Sequence, residues 1–113
     1  MTNTTIDIYR GDDRTLNLTF TQNNSALDIT GYTVKFTVKE NISDTYANAK
    51  IAKTVTSHFD PTNGKTQIDI THSDTSSLEE KGYHYDIELT DTSGNILTVV
   101  RGIFNVTLDI TDA

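Results

Sequence analysis

The chain has 113 residues, of which 35% are hydrophobic and 22% charged, so it can bury one hydrophobic core and we expect a single domain over residues 1–113. Nine Lys and Arg residues against sixteen Asp and Glu residues give a net charge of −7, which argues against nucleic acid and anionic membranes as partners. The absence of cysteine excludes disulfides, thiolate metal sites and a thiol nucleophile.

Apolar and polar residues alternate along most of the chain, which is the pattern of half-buried β-strands. It predicts seven or eight strands, the clearest at residues 6–8, 16–20, 34–38, 51–55, 68–70, 83–89 and 96–110. In the last of these, the spacing of apolar residues changes around Arg101, which predicts a bulge or bend at Gly102.

Residues that favour turns separate the strands. Asn, Asp, Pro and Gly cluster at residues 22–25, 60–64 and 91–95, where we expect turns between strands. The polar residues 41–48 interrupt the alternation, which predicts either a mobile loop or a poorly formed edge strand.

One segment, residues 73–81, has a helical pattern. Ser76 and Glu79 fit a capping box there, and Gly82 can end the turn. Short strands with frequent turn signals and one helical turn describe an all-β fold. We therefore expect an immunoglobulin-like antiparallel β-sandwich of seven or eight strands with one short helical turn, with a small barrel as the structural alternative.

Two groups of residues could supply metal ligands. Asp12 and Asp13 are adjacent carboxylates, but the D-x-D-x-D-G spacing of a calcium loop is missing, so we interpret them as a solvated turn. His58, His72 and His84 are separated by 14 and 12 residues, which is not the spacing that places two imidazoles on one metal ion. We expect no metal site.

Acidic pairs could supply the acid and base of a glycosidase. Glu79 with Glu80, or Asp86 with Glu88, could act as acid and base, but Asp86 and Glu88 share one face of a strand and are best explained as a solvated face. No serine lies in a G-x-S-x-G elbow, and the glycines are scattered singly, so no phosphate-binding loop is present. We expect no enzyme activity, no catalytic residue and no cofactor.

Tyr83 and Tyr85 follow Gly82 at the start of a predicted strand. This arrangement is similar to the tyrosine corner of immunoglobulin-like domains, in which a tyrosine hydroxyl bonds to an upstream main-chain group. We expect one of the two tyrosines to form this corner and neither to bind a ligand.

An ordered set of local sequences covers nearly the whole chain, at residues 8–12, 28–38, 60–64, 78–89 and 100–106. The set resembles the immunoglobulin-like domains of bacteriophage tail and baseplate proteins, and is similar to the N-terminal domain of phage baseplate upper proteins. The resemblance implies a structural role in the virion, where that family anchors receptor-binding parts. Unlike longer members, the sequence ends at Ala113 without a helical or linker extension, so tail, baseplate, neck and capsid decoration all stay open.

Our first hypothesis is a virion structural or assembly protein that docks through a sheet edge or face onto other phage proteins. The alternative is a carbohydrate- or cell-surface-binding module in which Tyr9, Tyr32 or Tyr46 stacks on sugar rings. Both a monomer and a homo-oligomer remain open. Because the sequence shows no signal peptide and no apolar run of about 18 residues, we expect synthesis in the bacterial host cytoplasm and a final place in the virion.

Overall fold

A computed structural model describes residues 2–45 and 48–108 of the chain. The strands in this part are β1 (Thr2–Tyr9), β2 (Arg14–Thr19), β3 (Thr21–Gln22), β4 (Ser25–Ala26), β5 (Thr33–Lys39), β6 (Ile51–Val55), β7 (Lys65–Ile70), β8 (Lys81–Thr90) and β9 (Ile96–Thr107). A 3-10 turn at Pro61–Asn63 precedes β7, and one turn of helix, α1 (His72–Thr75), follows it. Each predicted strand is present, although the predicted end of the last one, residues 109–110, lies outside the described residues.

The strands form two main sheets packed as an immunoglobulin-like sandwich, as predicted. The larger sheet has the order β1-β9-β8-β5-β6, and the smaller sheet pairs β2 with β7. One pairing differs from the antiparallel expectation, because β1 runs parallel to β9, from Thr2 beside Val100 to Tyr9 beside Thr107. The chain crosses to the smaller sheet after β1, so no hairpin joins β1 to β9 and nothing local imposes an antiparallel direction.

The core lies between the two sheets and comes from every second residue of the strands. In β7 the pattern is strict, because Thr66, Ile68 and Ile70 are buried and the residues between them are exposed. On the facing sheet Phe36 packs against Tyr85, with ring centroids 5.7 Å apart, and against Phe104 at 6.0 Å. Alternation in the sequence therefore corresponds to burial against the opposite sheet.

The irregularity of β9 lies at Val99 and not at Gly102, so this prediction was wrong. Ile87 pairs with Val100 and Glu88 pairs with Thr98, which leaves Val99 as the extra residue of a bulge. Gly102 sits in regular register opposite Tyr85 on β8. The bulge changes which β9 residues face the core, which is the change in apolar spacing that the sequence shows.

The turns form where turn residues cluster. Asn23 and Asn24 have φ values of 53° and 64°, the left-handed pair that a two-residue hairpin between β3 and β4 requires. Gly64 ends the 3-10 turn with φ 71°. Residues 41–45 and 48–50 contain no strand, which agrees with the loop alternative.

The helical turn begins earlier than predicted. Thr71 is the N-cap of α1, and its main-chain N–H donates to the Asp74 carboxylate at 2.8 Å. The capping pair is therefore Thr71 and Asp74 instead of Ser76 and Glu79, because the chain turns as soon as buried Ile70 ends β7. No helix in residues 2–45 and 48–108 is long and apolar enough to cross a bilayer.

Candidate functional site

Asp13 holds two parts of the fold together. Its carboxylate accepts hydrogen bonds from the main-chain N–H of His72 at 2.6 Å and from the His72 ring Nδ1 at 3.0 Å. These bonds, the main-chain one first, hold the pKa of the Asp13 carboxyl below its ordinary value. Beside it, the main-chain N–H of Gly11 donates to Thr75 Oγ1 at 2.9 Å. The turn after β1 is therefore joined to α1, and the Asp13 side chain is 72% exposed, as expected of a solvated turn residue.

The three histidines have separate surroundings. His58 contacts the Tyr32 carbonyl and Thr66 Oγ1, each at 2.8 Å. His72 contacts Asp13, and His84 lies in a groove on the outer face of the larger sheet. Within the described part of the chain, no three His, Asp or Glu side chains lie close enough together to hold a metal ion.

That outer-face groove lies over β5, β8 and β9, has a volume of about 790 Å³ and includes both Asp86 and Glu88. Asp86 faces Arg101 across the β8–β9 ladder. Burial raises the pKa of the Asp86 carboxyl and the Glu88 carboxylate raises it further, against the opposing charges of Lys39 and Arg101. The predicted solvated face is thus half-buried at Asp86, which lines the groove together with Lys39 and Arg101.

Glu79 and Glu80 take part in contacts within the fold. The main-chain carbonyl of Glu79 accepts a hydrogen bond from the Tyr83 hydroxyl at 3.0 Å. The carboxylate of Glu80 accepts one from the main-chain N–H of Leu108 at 3.1 Å. The Tyr83 bond spans four residues and forms the predicted tyrosine corner. The Tyr85 hydroxyl is buried without a hydrogen-bond partner among the described residues.

An ionic cluster near this corner was not predicted. Glu40 accepts a hydrogen bond from Lys81 Nζ at 2.6 Å and lies 3.8 Å from Lys50 Nζ. The hydrogen bond from Lys81 holds the pKa of the Glu40 carboxyl below its ordinary value. Lys81 Nζ also lies 5.4 Å from the centroid of the Tyr83 ring. Glu40 and Lys81 are 41 residues apart, so no local pattern could have indicated the pair.

The tyrosines proposed for sugar stacking are not brought together. Tyr9 ends β1, beside Thr107, and is 57% exposed. Tyr32 precedes Thr33, which pairs with Thr90 at the opposite end of the sandwich, and it packs partly against the core. Tyr46 lies outside the described residues.

The fold is that of an immunoglobulin-like domain, and comparison with known proteins identifies its family. The family model described as the BppU N-terminal domain matches residues 1–112, so the chain belongs to the BppU N-terminal domain family. This membership makes it a phage tail or baseplate structural domain and hence a component of the virion.

Two solved structures show how the fold compares. The N-terminal domain of phage TP901-1 ORF48 is 11% identical, with a TM-score of 0.54 over 96% of this chain and 99% of that one. Murine CRIg is 12% identical, with a TM-score of 0.41 over 93% of this chain and 92% of that one. No curated protein sequence matches the chain.

Proposed function

We propose that the chain is a non-enzymatic domain, formed by residues 1–113, that docks onto other virion proteins of the tail or baseplate. The observation that carries this proposal is the family match over residues 1–112. The side chains that could have formed a catalytic or metal site support it, because Asp13, His58 and Glu80 each make contacts that join parts of the fold.

The net charge of the domain indicates what kind of surface its partner has. A net charge of −7 repels phosphate backbones and anionic lipid headgroups, so the partner is a protein surface that is neutral or basic. Such a charge also speeds the encounter with a basic partner at low salt. The domain is synthesised in the bacterial host cytoplasm and enters the virion during assembly.

Reconstitution on particles tests the proposal. A stop codon in the gene gives particles that lack the chain, and purified chain is then added to them and to wild-type particles. We expect saturable binding to the depleted particles, less binding to complete ones, and weaker binding as salt is raised. No binding to the depleted particles, together with binding on a glycan array, would replace the proposal with the carbohydrate-binding alternative.

A further inference from the structure

Strand β7 has one unpaired edge. Among the strands that the structure describes, only β2 pairs with β7, with Thr19 opposite Lys65 and Asn17 opposite Gln67. The next residue pair continues this register, because the Phe20 main-chain N–H donates to the Gly64 carbonyl at 2.8 Å. Antiparallel pairs alternate between bonded and non-bonded types.

This alternation fixes the direction of each main-chain group in β7. Since the Phe20–Gly64 pair is of the bonded type, Thr66 and Ile68 direct their main-chain groups towards β2. The intervening residues direct their N–H and C=O groups away from β2; they are Lys65, Gln67 and Asp69.

The first position on this free edge is already paired. The Lys65 N–H donates to the Asp60 carbonyl at 3.0 Å, and the Asp60 N–H donates to the Lys65 carbonyl at 3.4 Å, as an isolated antiparallel bridge. The described residues before Asp60 make no further main-chain hydrogen bond to the free edge of β7. Across the described residues, the outward groups of Gln67 and Asp69 therefore have no hydrogen-bond partner. Asp60 and Lys65 thus form the first residue pair of a third strand, and no further pair follows among the described residues.

A groove of about 500 Å³ lies beside the unpaired groups, between β7 and β6. Gln67, Ile68 and Asp69 form one wall, and Val55 and Phe59 lie on the other. Phe59 is 60% exposed, so the groove offers apolar surface next to the free main-chain groups. An extended polypeptide matches both features.

The side chains of the free edge are turned away from it. Gln67 Nε2 donates to Asn17 Oδ1 at 3.0 Å, and Thr15 Oγ1 donates to the Asp69 carboxylate at 2.9 Å, so both side chains lie over β2. The facing strand β6 is different, because its Lys53 forms an ion pair of 2.8 Å with Asp74, the kind of charge that protects an edge.

We propose that an extended segment of another virion protein adds to the free edge of β7 as a third strand, hydrogen-bonded to Gln67 and Asp69 and with an apolar side chain against Phe59. This inference rests on the proposed docking function and names its surface. The occupant is a different protein and not a second copy of this chain, because two copies would bring together net charges of −7 each. Its segment is neutral or basic.

Proline substitutions test whether the partner binds at this edge or at the other edge of the smaller sheet, which β2 forms. Gln67→Pro removes an N–H that the fold does not use and places a ring on the edge where the partner would pair. Asn17→Pro does the same on the outer edge of β2, directly opposite, and each variant loses the same Gln67–Asn17 hydrogen bond. The two variants are therefore matched in their cost to the domain, which thermal unfolding checks.

Both variants are added to particles that lack the chain. We expect Gln67→Pro to weaken binding by at least about tenfold and Asn17→Pro to stay within about threefold of wild type. Gln67→Ala, which keeps the N–H, is expected to bind like Asn17→Pro. Equal binding of the two proline variants, or loss confined to Asn17→Pro, would overturn the assignment.

Hydrogen exchange on the unmodified chain gives a second readout that needs no variant. Binding to depleted particles is expected to slow exchange of the Gln67 and Asp69 amides, which donate no main-chain hydrogen bond among the described residues. If the chain binds and these amides exchange as before, the β7 assignment is wrong and the docking function stands. If the chain does not bind at all, both proposals are wrong.

Discussion

The hydroxyl of Tyr83 donates a 3.0 Å hydrogen bond to the main-chain carbonyl of Glu79 and ties the entry of β8 to the turn before it. Tyr83→Phe should therefore lower the free energy of unfolding by about 1 kcal/mol, measured by urea denaturation. Tyr85→Phe is the matched control, because it removes a buried hydroxyl that has no partner among the described residues, and it should leave stability unchanged or raise it. A similar loss in both variants would contradict the corner role of Tyr83.

Replacing Asp86 or Asp91 with Asn should change Tm at pH 7 in opposite directions. Burial and then Glu88 raise the pKa of the Asp86 carboxyl, so its ionised form opposes folding at pH above that raised value. Asp86→Asn should therefore raise Tm at pH 7, and the gain should disappear as pH falls to the unfolded pKa of about 3.9. Thermal melts from pH 7 to pH 3 measure both quantities.

Asp91 is the control with the reverse sign. Hydrogen bonds, first from the Asn95 main-chain N–H, lower the pKa of the Asp91 carboxyl, so its ionised form stabilises the fold above the unfolded pKa. Asp91→Asn should lower Tm at pH 7, and its deficit should shrink as pH falls through the lowered pKa. If both variants change Tm in the same direction at pH 7, the two assignments cannot both be correct.

Alanine substitutions at Gly64 and Gly94 distinguish the stability cost of a steric clash from the cost of a strained backbone conformation. Both have positive φ, 71° and 88°. A Cβ at Gly64 would lie 2.7 Å from the Leu27 carbonyl oxygen and would also collide with the Phe20 carbonyl, whereas one at Gly94 would meet nothing within 4 Å. Gly94→Ala should cost about 1 kcal/mol and Gly64→Ala about 3 kcal/mol or more by chemical denaturation. Equal costs would show that the turn at Gly64 can relax.

The Lys53–Asp74 ion pair joins β6 to the start of α1 across the open side of the sandwich. Burial raises the pKa of the Asp74 carboxyl, but hydrogen bonds from Lys53 and Thr71 lower it by more, so the pKa is lowered overall. A double-mutant cycle with Lys53→Ala and Asp74→Ala should give a coupling of about 0.5–1 kcal/mol at pH 7. The coupling should vanish once the pH falls below the lowered pKa of Asp74; a coupling that persists there would not be ionic.

Structural features that depend on a local pattern of residues could be predicted from the sequence. Thr66, Ile68 and Ile70 alternate with exposed neighbours, so their strand was predictable. The consecutive residues Asn23 and Asn24 indicate a hairpin turn. These features, together with the family resemblance, were enough to predict the sandwich and its place in the virion.

Features that depend on distant residues could not be predicted. The direction of β1 is set by its pairing with β9, at the far end of the chain. The bulge at Val99 changes apolar spacing over several residues, so the sequence alone places it only approximately. The free edge of Gln67 and Asp69 depends on where Asp60 stops pairing with β7, which no local pattern encodes.

The parallel pairing of β1 with β9 also determines how the domain bears mechanical load. Thr2 lies beside Val100 at one end of this pair, and Tyr9 lies beside Thr107 at the other. A force that separates Thr2 from Thr107 therefore slides the two strands past each other and loads all of their evenly spaced hydrogen bonds together. An antiparallel pair pulled from the same two residues would open one bond at a time. Tension applied along this axis should therefore meet more resistance in the parallel pair than it would in an antiparallel one.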